Sequence, residues 1–310
     1  MLDEVGIEAH PVLINATNSR GREDLTLPMV NHFNHCITFI PAVSEDEEDL
    51  FLDGTATHNR VEELPSSDSG ATVLVVRPEG SSLKTVPWTQ PGDLAVEEDV
   101  QVHVHADGSA EVEIRGRAVG DYGSVLRNHF EVAGKRKTLL EKIYGRRFAG
   151  ATVEDEQFSD LRDLGQPVTF RIRLRVPSLL GESPEGLSMR PLDDFFQSNR
   201  MLEGLGSLES REHDVVLGAP RRAKLGITVH IPPGLVVKSV PSNRVLTSPS
   251  ARFETRYKVT NDQVQFTRIL ELTSPRVAVV AYPQFREITT QLERLREEKW
   301  VFTESSDTSN

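Results

Sequence analysis

The sequence is short of cysteine. Cys36 is the only one in 310 residues, which excludes an intrachain disulfide. It is also short of positive charge: Lys and Arg number 35 against 47 Asp and Glu, a net charge of −12. No basic cluster breaks that balance, and phosphate binding needs Lys and Arg to release counterions, which argues against nucleic acid and anionic membranes as partners. No apolar run approaches the ~20 residues of a membrane-spanning helix. No signal-peptide pattern opens the sequence, and its localisation is left open. A Gly-x-Ser-x-Gly elbow and a phosphate-binding glycine loop are both missing. Asp68-Ser69-Gly70 matches the short aspartic-protease signature, but Glu63-Leu64-Pro65-Ser66-Ser67 before it is not the apolar strand that signature needs. Nothing in the sequence calls for a cofactor.

What is present centres on Asn31 to Ile40 and its return partner Leu50 to Thr55. Phe33, Ile37 and Phe39 alternate with Asn34, Cys36 and Thr38, the period of a strand, and Leu50 to Leu52 is a second short apolar run. Between them Pro41 to Asp49 carries a charged turn. A hairpin of this kind returns Asp53 to within about two or three positions of His35. A carboxylate beside an imidazole fixes its tautomer and stabilises the imidazolium, as a base serving a thiol or hydroxyl nucleophile requires. Cys36 projects to the opposite face from His35 and is expected to be a small buried hydrophobe.

The run Val5-Gly6-Ile7-Glu8-Ala9-His10-Pro11-Val12-Leu13-Ile14, then Phe33-Asn34-His35, then Phe51-Leu52-Asp53-Gly54-Thr55-Ala56, resembles the second half of a bacterial transglutaminase-like domain. The subfamily is one in which that papain-like domain is flanked by β-rich domains of unknown function. The resemblance implies that His35 and Asp53 are the second and third members of a Cys-His-Asp triad that performs acyl transfer or amide hydrolysis on a protein or peptide. Gly54 stands where that family usually has proline. The helix that carries the family's nucleophile precedes the Gly-Ile-Glu-Ala turn, so this chain is expected to lack it and to be inactive as it stands. A non-catalytic β-rich interaction module that keeps a vestigial catalytic core is the alternative.

The fold class expected is α+β, mostly β: a truncated transglutaminase-like core, then an antiparallel β-sandwich-like domain with a helical insertion and a C-terminal amphipathic helix. Residues 1–78 form the first domain, 79–93 a Pro- and Gly-rich linker, 94–302 the β-rich domain and 303–310 a polar, disordered tail. In the first domain His10 to Ala16 and a continuously buried Ala71 to Val76 read as strands. Without the nucleophile helix, one face carrying Val12, Ile14, Ile37, Phe39 and Phe51 is expected to be partly uncovered, favouring self-association.

In the second domain Val100 to Ile114 reads as a hairpin with an Asp107-Gly108-Ser109 turn, setting Val104 opposite Val112 and His103 opposite Glu113. His103 and His105 beside Glu111 and Glu113 have the residue types of a metal site, but two histidines on an exposed strand fall short of the ligand count zinc uses, and no metal is expected. Tyr122 to Phe148 reads as two amphipathic helices parted at Gly134. Val168 to Val176 alternates with Arg171, Arg173 and Arg175 on its exposed face. Ser178 to Gly206 yields no assignment. Strands then follow at His213–Leu217, Ala223–Ile231, Leu235–Val240, Ala251–Thr260 and Gln263–Leu272. A helix with Phe285, Ile288, Leu292 and Leu295 on one stripe comes next, and Trp300 to Phe302 reads as an edge strand. Ile231-Pro232-Pro233-Gly234-Leu235 within this half resembles the C-terminal β-rich domain of the same subfamily.

Overall fold

The computed structural model describes residues 2–17, 26–27, 29–44, 46 and 48–305. Its first part is an antiparallel sheet of β1 (His10–Ile14), β2 (His35–Ile40), β3 (Leu50–Leu52), β4 (Thr72–Val75) and β5 (Ser82–Thr85). Their order is β3-β2-β1-β4-β5. Period-two alternation sends Val12, Ile14, Ile37, Phe39, Phe51, Val73 and Val75 to one face, where each is at most 6% exposed. Leu64, from the segment after β3, packs against this cluster. Lys84 and Arg77 lie over the Phe39 ring at 4.8 and 5.6 Å from its centroid.

The expectation of a partly uncovered face is therefore corrected. These side chains are already removed from water, a stabilisation of roughly 1.5–3 kcal/mol each. β4 is buried only on alternate residues, with Thr72 exposed, rather than along its whole length. The stretch 79–93 contains β5, hydrogen-bonded along β4, and its Val86 joins the same cluster.

The second part follows in chain order as β6 (Ala95–Val104), β7 (Ala110–Ala118), α1 (Asp121–Phe130), α2 (Ala133–Gly145), β8 (Thr152–Phe158) and β9 (Val168–Val176). Then come β10 (Gly181–Ser183), β11 (Gly186–Met189), β12 (Val215–Val216), β13 (Arg221–His230), β14 (Leu235–Ser239) and β15 (Arg244–Ser248). The chain continues through β16 (Ala251–Val259), β17 (Gln263–Leu272), β18 (Arg276–Val277), α3 (Tyr282–Glu297) and β19 (Trp300–Glu304). Among the described residues, eight of these strands form one sheet in the order β15-β16-β17-β13-β6-β7-β9-β8. All its pairings are antiparallel except β6 with β13. A smaller sheet, β10-β11-β19-β14, supplies Trp300, whose ring meets Tyr257 and Phe266 of the large sheet at 5.9 and 5.8 Å. The fold is α+β and mostly β.

One face of the large sheet carries the apolar halves of the alternating strands, among them Val100, Val102, Val112, Ile172, Leu174 and Phe266. The apolar stripes of α1, α2 and α3 join the same core through Leu126, Phe130, Leu140, Phe285 and Leu292. The other face is charged: Arg171 and Arg173 reach Asp155 at 3.0 and 3.3 Å, and Arg175 reaches Glu154 at 2.9 Å. On the core face Gly116 of β7 stands opposite Phe170 of β9, and a Cβ there would lie 2.1 Å from the ring.

Several local readings change. The β6–β7 hairpin closes over Ala106-Asp107-Gly108, with the His105 amide donating to the Ser109 carbonyl at 2.8 Å and Gly108 at φ +82°. Val102 therefore pairs with Val112 and His103 with Glu111, a shift of two residues from the expected register. Gly134 lies inside α2; the helices part at Glu131 and Val132. β8, β10, β11, β15 and β18 were not anticipated. Of the tail, Thr303 and Glu304 belong to β19, and 306–310 lie outside the described residues.

Candidate active site

His35 is the first residue of β2, on the same face as Ile37 and Phe39. β3 pairs with β2 through Phe39–Phe51 and Thr38–Leu52, and continuing that register sets Asp53 level with Ile37, two residues from His35. The side chains meet: His35 Nε2 lies 3.1 Å from Asp53 Oδ2. Asp53 is held from its other oxygen, since the Thr55 amide and hydroxyl donate to Oδ1 at 2.9 and 2.7 Å. Burial alone would raise the Asp53 pKa; the Thr55 amide, the Thr55 hydroxyl and His35 outweigh it, so the carboxyl titrates below the ordinary aspartate range.

The side chain of Asp53 is 6% exposed and that of His35 26%. An ionised Asp53 accepts only, so the proton of neutral His35 sits on Nε2 and the lone pair is left on Nδ1. Nδ1 has no hydrogen-bond partner among the described residues. Such a ring can take a proton at Nδ1 while the carboxylate steadies the imidazolium that forms.

Cys36 lies across the sheet from His35, as alternation requires. It is exposed, not buried as expected, because the face opposite the core cluster is open to solvent at that position. Its thiol's hydrogen bond is to the Ile37 carbonyl, 3.8 Å away, and not to His35.

His103 does not meet Glu113. Its ring stacks on His230 of the parallel neighbour β13, with centroids 4.3 Å apart and planes 3° from parallel. His105 stands 3.8 Å from Glu111. Among the described residues no three His, Cys, Asp or Glu side chains cluster closely enough to hold a metal ion.

A second polar cluster was not anticipated. Arg268 of β17, 0% exposed, donates to Asp193 at 2.7 Å and to Asp194 and Asn199. Asp194 also accepts from the Phe196 amide at 3.0 Å and from the Ser198 amide and hydroxyl at 3.2 and 3.1 Å. Nearby, Glu98 of β6 accepts from the Phe195 amide at 2.7 Å. Burial and the neighbouring Asp194 push its carboxyl up to about 8. Arg147 forks onto the carbonyls of Asp194 and Phe195. Arg268 and Glu98 interrupt apolar alternation on β17 and β6, and that interruption is the signal that marks them in the sequence.

Residues 190–302 match the family model of a domain of unknown function with a solved structure, DUF3858. No curated protein matches the chain. Among solved structures, it is similar to a crystal structure from Parabacteroides distasonis described as a candidate protease, at 11% identity and a TM-score of 0.49. That likeness covers 97% of this chain and 41% of the other, so the chain spans less than half of the protein it matches. No helix among the described residues is long and apolar enough to cross a membrane.

Proposed function

We propose that His35 and Asp53 are the acid–base half of a transglutaminase-like Cys-His-Asp centre, acting in acyl transfer or amide hydrolysis on a carboxamide-bearing protein or peptide. The observation that carries this is the ordered chain of contacts from Thr55 to Asp53 to His35 Nε2, which leaves Nδ1 as the one basic position. In that role Nδ1 takes the proton of a thiol as the sulfur attacks the carboxamide carbon. The imidazolium then returns the proton to the departing amine, and Asp53 stabilises the charge on the ring throughout.

The thiol is supplied from outside these residues, because Cys36 lies on the wrong face, and the chain by itself does not turn over. The sequence resemblance around Glu8-Ala9-His10, His35 and Asp53 supports the same reading. We take the first sheet, which runs on from residues 1–78 through β5 and Val86, as the partial catalytic domain and 94–302 as its β-rich companion.

The test is thiol-dependent ammonia release from glutaminyl peptides by protein isolated from its source and by the 310-residue chain. Release by the first alone, lost in His35→Ala, supports the proposal. Release by neither favours a non-catalytic interaction module, the reading that the placement of Cys36 on the opposite face of β2 from His35 also suits.

A further inference from the structure

A cavity of about 620 Å³ lies well away from His35 in the sequence, between the core face of β6 and β7, the end of α2, the segment 178–200 and the end of α3. That volume is in the range of small-ligand sites. Its apolar wall includes Val100, Val112, Ile114, Met189 and Leu192. Its cations are Arg147, Arg190, Arg200, Arg296 and Lys299, against the carboxylates Glu182, Asp193 and Glu297. Five against three leaves an excess of two positive charges, in a chain whose net charge is −12.

The bookkeeping of partners shows where that excess sits. Arg190 pairs with Glu297 at 2.9 Å, Arg296 with Glu203 at 3.0 Å, and Arg147 is spent on backbone carbonyls. Asp193 is taken by Arg268 from beneath. Arg200 and Lys299 are exposed and have no carboxylate partner among the described residues, and the exposed Glu182 likewise has no cation partner there.

Two further features accompany them. Tyr144 lines the cavity at 2% exposure, and its hydroxyl has no hydrogen-bond partner among the described residues. A buried donor left unpaired is costly, and of the buried side-chain atoms without a partner among the described residues only the Tyr144 hydroxyl and Arg147 Nε belong to residues lining this cavity. Gln197, also in the lining, holds φ 55° and ψ 49°, a left-handed conformation that non-glycine residues adopt at a cost and that gathers at binding sites.

The two exposed cations are solvated but free to meet an anion, the buried hydroxyl lacks an acceptor, and the apolar wall suits an apolar group. We propose that this cavity binds the C-terminus of a peptide that ends in an apolar residue. Its carboxylate is met by Arg200 and Lys299, a backbone carbonyl by the Tyr144 hydroxyl, and its last side chain by Val100, Ile114 and Met189. The inference stands independently of the His35–Asp53 reading.

The test is calorimetric titration of the full 310-residue chain with acetyl-Leu-Leu, with acetyl-Leu-Leu amide and with octanoate. The acid is expected to bind about tenfold or more tightly than the amide, since the amide loses both charge contacts. Arg200→Ala and Lys299→Ala, both at exposed positions, should each erase most of that preference. Tyr144→Phe should weaken the acid without lowering the melting temperature, which separates a ligand contact from a structural one. Equal binding of acid and amide, no binding of either at millimolar concentration, or tighter binding of octanoate than of acetyl-Leu-Leu would overturn the proposal.

Discussion

Thr55 donates twice to one oxygen of Asp53, through its amide at 2.9 Å and its hydroxyl at 2.7 Å, and so turns the other oxygen toward His35. The carboxylate is positioned by its own chain two residues on as well as by the imidazole. A base built this way needs little from the rest of the protein to hold its tautomer.

Thr55→Val keeps the amide and removes the hydroxyl. The Asp53 pKa, now below the aspartate range, should rise in the variant, read from the carboxyl carbon shift across an acid titration. Because the folded pKa is depressed, the stability Asp53 contributes is present above its unfolded value of 3.8 and lost as pH falls through the folded one. The variant should therefore be less stable than the parent chain at pH 7 and at pH 10, where Asp53 is ionised, and the difference should shrink as pH falls through the folded pKa.

Glu98 behaves in the opposite sense. Its folded pKa of about 8 stands above the ordinary 4.5, so across that window the folded chain holds a proton the unfolded chain has released. Stability should therefore fall as pH rises from about 4.5 to 8, with Asp194, Arg147, Arg268 and Tyr144 the charged and titratable groups around it. Glu98→Gln keeps an acceptor for the Phe195 amide and cannot ionise. Urea melts at pH 5 and pH 8 should show a smaller difference for the variant than for the parent chain.

Arg268→Met leaves the buried Asp194 and the half-buried Asp193 without their cation. Removing one partner of a buried pair costs roughly 3–5 kcal/mol. The loss should appear as a lower urea midpoint, and Asp193→Asn with Asp194→Asn added to Arg268→Met should recover part of it.

Gly116→Ala places a methyl group into the ring of Phe170 on the facing strand. Overpacking of this kind costs about 1–3 kcal/mol. Adding Phe170→Leu should relieve some of that cost, measured by thermal melting of the single and double variants.

Much of the fold was legible because it rests on alternation. Val100 to Val104, Val168 to Val176 and Gln263 to Leu272 each declare a buried face, and strands formed there. The hairpin bringing Asp53 to His35 was legible for the same reason. Alternation fixes which residues share a face but not which residue closes a turn, and that is why the β6–β7 register moved by two. β15 was missed because its burial is only partial on alternate residues. The segment 190–200 was illegible because side-chain to backbone bonds from Asp194, and contacts to Arg268 some 70 residues away, hold it, and these leave no local period. Burial of the first sheet's apolar face was misjudged because it was inferred from a family resemblance rather than from the residues that pack there.

The most direct measurement is the rate of iodoacetamide alkylation at pH 6, residue by residue, in protein isolated from its source and in the 310-residue chain, each with and without His35→Ala. A thiol paired with an imidazole reacts as thiolate well below the ordinary thiol pKa of ~8.5. The expected result is one cysteine outside these 310 residues that alkylates rapidly and slows about tenfold or more in His35→Ala, while Cys36 reacts as an ordinary exposed thiol in both backgrounds. Slowing of Cys36 itself by His35→Ala, or no cysteine in the source protein that responds to that substitution, would contradict the account.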